Sequence, residues 1–321
     1  RRFFSAQSFK TLGRRMNGHR MNGQPMNLPH PAPLQLSDRV LKTRRSAYIV
    51  SIVNCTPDSF WAGSRASSSS AAAECALEHF ANGADIVDIG GESSRPGSVY
   101  VSADEQIKRI VPVIEEIRRH CTGALSVDTR LLPVMQAARS AGADILNDIS
   151  ALEDDENLAA FAAKEKIPVI LMHKRGTPLI MQNNTRYTDI VAEVALYLAH
   201  RIQYAVSQGI SADKIIADPG IGFAKDVRSN IALVQNGAAI AELIQKQTGF
   251  KAPQLLAGLS RKSFIGSLTG KDTPERLSGT VAANLIAVQK GYTFLRVHDT
   301  VQTADMLAVL DAFGSVSGGT E

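Results

Sequence analysis

Nine polar side chains stand at the ends of short apolar runs in this chain: Asn54, Asp88, Asp128, Asn147, His173, Asp218, Ser260, Arg296 and His298. Asp128, Asn147 and Asp218 are of the types that grip a donor-rich ring edge through paired hydrogen bonds, so a flat heterocycle with amino and ring N–H groups would satisfy them. The same carboxylates with Asn54 could instead hold a hard divalent cation. Arg296 and His298 are two residues apart, on one face of an extended segment, and together suit a phosphate or pyrophosphate. The plainer alternative is that Arg296 pairs with a neighbouring carboxylate. Gly258-Leu-Ser-Arg-Lys-Ser263 joins a small-residue strand end to a helix start, where Arg261 and Lys262 oppose the helix dipole unless an anion meets them. A solvated basic turn is the alternative there. His173 is either a base or, more simply, a hydrogen-bonding partner. The chain has no HExxH pattern and no set of three converging histidines, so a catalytic zinc is not expected.

Eight apolar runs must position these groups: residues 48–54, 84–91, 124–128, 143–148, 168–173, 214–218, 254–260 and 293–299. Val-, Ile- and Leu-rich runs separated by helical stretches read as parallel strands covered on both faces. Helical periodicity is expected over 71–82, 102–119, 131–141, 155–165, 187–208, 228–247, 274–290 and 300–313. Eight β-α units predict an α/β fold, a (β/α)8 TIM barrel, which gathers the polar strand ends at one mouth. The connections 56–70 and 92–101 exceed the usual two to six residues and are expected to cover that mouth.

The apolar fraction is 44%, ordinary for a globular chain, and no run approaches a membrane span. The net charge of +4 is local: Arg1, Arg2, Lys10, Arg14, Arg15 and Arg20 fall in the first 37 residues with no acid among them, and the remainder is mildly acidic. A nucleic-acid-binding or membrane-bound body is therefore not expected. Residues 1–37 read as a basic, disordered extension, with 38–321 as the barrel. A cytoplasmic location is expected, or a mitochondrial matrix if the extension is a transit segment. Cys55, Cys75 and Cys121 are scattered and form no CxxC pair, so they read as packing residues rather than a disulfide framework.

Asn54-Cys-Thr-Pro-Asp-Ser-Phe60, Asp88-Ile-Gly-Gly-Glu-Ser-Ser-Arg-Pro-Gly97, Ser126-Val-Asp-Thr129, Asn147-Asp148, Leu171-Met-His-Lys-Arg-Gly-Thr177, Asp218-Pro-Gly-Ile-Gly-Phe223, Ser260-Arg-Lys-Ser263 and Arg296-Val-His-Asp299 resemble, in order, the motifs of the dihydropteroate synthases. The resemblance spans residues 50–300 and implies condensation of 6-hydroxymethyl-7,8-dihydropterin diphosphate with p-aminobenzoate in folate biosynthesis. It assigns the pterin to Asp128, Asn147, Met172, Asp218 and Lys262. The diphosphate falls to Asn54, Arg296 and His298, with Mg2+ at Asn54. It implies an aminobenzoate pocket of Phe60, Ser94, Arg95, Pro96, Phe223, Lys262 and Ser263. The catalytic set it implies is Lys262, Asp218, Arg296 and Asp58, and it implies a homodimer that is a sulfonamide target. Three positions depart from the family pattern. Ser94 stands for a usual Thr and Ala224 for a usual Gly. Trp61-Ala-Gly-Ser64 replaces a stretch that normally carries an acid at position 62, leaving Asp58 as that loop's acid. A low-turnover pterin-binding subunit, or another phosphate-handling barrel such as an aldolase using Lys262, are the rival readings.

Overall fold

The computed structural model describes residues 28–56, 65–93, 97–176 and 184–316. Eight parallel strands close into a barrel: β3 (Tyr48–Asn54), β4 (Ile86–Gly90), β5 (Ala124–Asp128), β6 (Ile145–Asp148), β7 (Val169–Met172), β8 (Ile215–Asp218), β9 (Gln254–Ala257) and β10 (Phe294–Val297), with β10 pairing back onto β3. The eight expected runs are the eight barrel strands. Helices α1 (Arg65–Ala81), α2 (Ala103–His120), α3 (Leu132–Ala141), α4 (Asn157–Glu165), α5 (Ile190–Ser207), α6 (Val227–Gln235), α7 (Gly237–Thr248), α8 (Ser263–Thr269), α9 (Leu277–Gln289) and α10 (Thr300–Val316) wrap the outside. None of the helices among the described residues is long and apolar enough to cross a membrane.

Local sequence explains the helix limits. Ser102 caps α2 through the Glu105 N–H, Asp104 and Glu105 fill its first turn, and Arg118, Arg119 and His120 fill its last, in keeping with the helix dipole. Asp189 caps α5 through Val191 and Ala192. The single helix expected over 228–247 is two, α6 and α7, broken at Asn236–Gly237. A side chain on Gly237 would meet the Lys290 carbonyl and the Tyr292 ring at 2.6 Å, so the break lets the chain pass close under the end of α9.

Strand alternation sorts the barrel interior into layers. Val50, Ile86, Ala124, Ile145, Ile170, Ile216, Leu256 and Phe294 form one buried apolar cluster, with Tyr48 stacked on Phe294 at 4.6 Å between ring centroids. Two residues farther along, six of the eight strands change character: Asp88, Ser126, Asn147, Asp218 and Arg296 are polar and Met172 is polarisable. The apolar layer is thus the base on which a polar mouth stands.

The lower end of the barrel is closed by a segment that composition alone assigns to a disordered arm. Strand β1 (Leu34–Gln35) pairs antiparallel with β2 (Val40–Leu41), and Leu34 and Leu36 are fully buried against the interior cluster. Arg39 pairs with Asp144 at 2.9 Å, Arg139 donates to Ser37 at 2.8 Å, and Ala32 accepts from both Tyr48 and Gln254. The boundary drawn at 37/38 therefore cuts this hairpin. Residues 1–27 lie outside the described residues.

Candidate active site

The strand ends bring Asp88, Asp128, Asn147 and Arg296 into one connected floor, with Asp218 beside it. Asp88 is fully buried and accepts from Ser126 Oγ at 2.6 Å, Asn147 Nδ2 at 3.0 Å and Arg296 Nε at 2.7 Å. Arg296 Nη2 donates to Asp128 Oδ2 at 2.9 Å. Arg296 thus bridges two carboxylates, the plainer of its two expected roles. Burial works against its charge, but Asp88 and Asp128 raise its pKa above the ordinary arginine value. Burial pushes the Asp128 carboxyl up to about 7, with Arg296 opposing and Asp88 reinforcing the shift. Three donors converge on Asp88, whereas Arg296 is the donor placed on Asp128. Asp128 is therefore the member of the pair placed to meet a ligand.

Asp218 closes β8 beside this floor. Its Oδ1 accepts from Gly220 N at 2.7 Å, and burial raises its pKa against the pull of Lys262. Lys262 lies across from it, and its amine donates to the carbonyl of Ile221 and stands 4.6 Å over the Phe223 ring. Burial lowers the Lys262 pKa to about 8 although Asp218 opposes the shift, which leaves the amine largely charged at neutral pH. The turn after β8 thus brings Asp218, Phe223 and Lys262 together. It needs glycine at Gly220, where the backbone is left-handed and a side chain would collide with the His173 carbonyl. Ala224, where the family pattern has glycine, adopts the same left-handed region at φ 53°.

His298 sits one rung nearer the opening and is tied to the β9–α8 turn, with its Nδ1 2.9 Å from Ser260 Oγ. Arg261 departs from expectation. Its side chain meets Asp299, with Nε at 3.0 Å, so a carboxylate from the neighbouring strand end answers the charge that the helix-start argument assigns to an anionic ligand. Lys262 alone of that basic pair faces the floor. Ser263 opens α8 and is exposed. Met172 is buried in the inward layer beside Asp218 in register. Asn54 ends β3 next to Gly90, half-buried at the mouth. Asp58, Phe60, Ser94, Arg95 and Pro96 lie outside the described residues. His173 is buried and neutral, its pKa lowered to about 2 by burial and the nearby Lys225 and Arg175 cations. It serves as a hydrogen-bonding partner rather than a base.

Two features escape a reading by motif. One is Lys225, a buried lysine at the end of a Gly-rich turn, with nothing local to mark it. The other is a rim cluster: Arg130 lies 3.5 Å over the Tyr100 ring and within 3.4 Å of Glu92 and Asp154, while Lys174 reaches Tyr100 and Asp154. Among the described residues no three His, Cys, Asp or Glu side chains converge as a metal cage. The Asn54 amide oxygen at the mouth is a donor of the type that suits a hard cation carried in with phosphate oxygens and water.

A closed barrel whose mouth offers carboxylates and an amide to a ring, with cations beside them, defines an enzyme site for a flat, donor-rich heterocycle. The family model described as pterin binding enzyme matches residues 50–298. The chain is 39% identical to a dihydropteroate synthase of Synechocystis sp. over 283 residues, covering 88% of this chain and 95% of the relative. Two solved structures of Xanthomonas albilineans dihydropteroate synthase are similar throughout. One holds 4-aminobenzoic acid (TM-score 0.79, 40% identity, 87% of this chain and 97% of that one) and the other 7,8-dihydropteroate (TM-score 0.76, 37% identity, 88% and 98%). The chain belongs to the pterin binding enzymes and, within them, to the dihydropteroate synthases.

Proposed function

We propose that the protein condenses 6-hydroxymethyl-7,8-dihydropterin diphosphate with p-aminobenzoate, releasing 7,8-dihydropteroate and diphosphate. The observation that carries this reading is the buried carboxylate-and-amide floor facing Lys262 and Phe223, in a chain whose relative binds 7,8-dihydropteroate. Asp128, Asn147 and Asp218 take the ring and amino donors of the pterin, Met172 packs against its face, and Lys262 donates to its acceptor edge. The C–O bond to the diphosphate breaks with its electron pair leaving on the diphosphate. The aromatic amine forms the new C–N bond and releases a proton. The electron-rich pterin stabilises cationic character at the methylene carbon, so no strong base is required and positioning supplies most of the acceleration.

Asn54, Arg296 and His298 hold the departing diphosphate. Arg296 is pinned between Asp88 and Asp128, so the floor alone carries more negative than positive charge near it, and the leaving group needs further neutralisation. Asn54 would present its amide oxygen to Mg2+, which when bound supplies that charge neutralisation. Phe223, Lys262 and Ser263 border the p-aminobenzoate pocket, with Phe60, Ser94, Arg95 and Pro96 as its loop residues and Asp58 as the loop acid. A cytoplasmic homodimer completes the reading. Ile286 on α9 and Val301 and Val309 on α10 leave roughly half of their surface in solvent on adjacent helices, which supports a second copy as their cover.

The test is to incubate the protein with the pterin diphosphate and p-aminobenzoate and to follow dihydropteroate by mass and diphosphate by coupled release. Equimolar appearance of both is expected. Binding of both substrates without turnover would instead identify a pterin-binding subunit. Sedimentation at micromolar concentration should give twice the chain mass.

A further inference from the structure

The turn Pro219-Gly-Ile-Gly-Phe-Ala-Lys225 has no ladder to hold it, and three of its residues, Gly220, Gly222 and Ala224, are left-handed. Inside it Phe223 N donates to the Gly220 carbonyl at 3.1 Å, Asp218 accepts from Gly220 N, and further side chains complete its hold. Lys262 binds the Ile221 carbonyl, Asn230 Oδ1 accepts from Gly222 N at 2.7 Å, and the Tyr187 hydroxyl donates to the Ala224 carbonyl at 3.1 Å. The Phe223 carbonyl is held by Lys225 Nζ at 2.8 Å.

Lys225 is 3% exposed. A Met of similar length would fill the space without the cost of burying an amine. The mechanism does not use this group. Its second partner is His173 Nδ1, 3.0 Å away. Burial draws the Lys225 amine well below the ordinary lysine value, with Asp218 opposing, and His173 is neutral. The amine offers an N–H to each of two acceptors, the Phe223 carbonyl and Nδ1 of His173. His173 is itself fixed to the barrel wall: its N–H donates to the Asp218 carbonyl at 2.9 Å, and its ring sits edge-on to Tyr197 at 4.9 Å. A continuous path therefore runs from β7 through His173 and Lys225 to Phe223.

We propose that Lys225 is a positioning residue for the second substrate: seated on His173, it fixes the Phe223 main chain and hence the ring that flanks the aromatic amine beside Lys262. This rests on the reading that Phe223 borders the p-aminobenzoate pocket. Lys225 touches neither substrate, so its loss should be felt by one of them alone.

Lys225→Met keeps the length and removes both donors. It is expected to raise the KM for p-aminobenzoate at least tenfold, with kcat at saturation changed less than threefold and the pterin diphosphate Kd within twofold of wild type. Hydrogen exchange over residues 221–225 should quicken whether or not substrate is present. His173→Leu should reproduce that pattern, while His173→Asn, which keeps an acceptor near the Nδ1 position, should stay near wild type. The His173 pair decides the matter if Lys225→Met does not fold. Unchanged exchange in the turn, an unchanged p-aminobenzoate KM, or equal loss for both substrates would overturn the assignment. Faster exchange in Lys225→Met together with an inactive wild type would locate the failure in the functional reading, and the role toward the second substrate would fall with it.

Discussion

The floor of the mouth and the turn beside it are held by opposite means. On the floor, Asp88, Asp128, Asn147, Asp218 and Arg296 project from strands whose ladders fix their spacing, and four of them bond to one another directly. The turn from 219 to 225 has no ladder; besides one internal backbone bond and the Asp218 carboxylate on Gly220 N, it is held by Lys262, Asn230, Tyr187 and Lys225. On the proposed reading, the rigid ring is recognised on strands, where two-point hydrogen bonds keep their geometry, and the second substrate is met by a turn anchored by separate side chains. Damage to the floor should therefore cost stability and pterin affinity together, and damage to the turn at Phe223 or Lys225 should be confined to the amine.

The largest effect expected is from Arg296→Met. Removing the cation leaves Asp88 and Asp128 facing each other without it, and breaking a buried pair from one side costs about 3–5 kcal/mol. A melting temperature within a degree of wild type would show that the floor does not depend on this bridge. Next is Asp218→Ala, which should weaken pterin binding by about 1–3 kcal/mol, and more if its partner is charged. Calorimetry showing a pterin Kd within twofold of wild type would remove Asp218 from the ring contact.

Acidity gives a third, smaller way to sharpen the contrast. The Asp128 carboxyl is raised in the fold, so between an unfolded carboxyl value of about 4 and its folded value of about 7 the native protein holds a proton that the unfolded chain has released. The stability this contributes is complete below the unfolded value and is lost as pH rises through the folded one. Asp128→Asn should flatten that decline, so its stability relative to wild type should improve from about pH 4 to pH 8 in denaturant titrations. A parallel pair of curves would place the raised acidity elsewhere.

How far the sequence carries follows from the same contrast. Asp128, Asn147, Asp218 and Arg296 are legible because alternation along a strand decides direction from order alone. Arg261 is misread because the helix-dipole argument sees only its own turn, whereas its partner Asp299 is 38 residues away on the next strand end. Lys225 is invisible because its meaning lies in His173, 52 residues earlier. The hairpin at Leu34 and Leu36 is lost in a Pro-rich, basic segment whose average hides two core leucines. The break at Gly237 is hidden because the helical pattern continues across it, and only the approach of Lys290 and Tyr292 requires a glycine there.

The smallest effect is in the turn itself. Ala224 occupies a left-handed conformation that costs a side-chain-bearing residue about 1 kcal/mol. Ala224→Gly should recover most of that in chemical denaturation, offset in part by the greater entropy of the unfolded chain, with the pterin Kd unchanged. A loss of stability would mean that the alanine methyl, buried in this turn, contributes more than its backbone costs.

The most direct measurement is two-substrate kinetics on wild type, Asp218→Asn and Phe223→Ala under one set of conditions. Wild type should form dihydropteroate. Asp218→Asn should raise the KM for the pterin diphosphate severalfold while that for p-aminobenzoate holds within twofold, and Phe223→Ala should do the reverse. Substitutions that shift both constants together would contradict a site divided between a strand-built floor and a side-chain-anchored turn, and a wild-type protein that forms no dihydropteroate would contradict the activity itself.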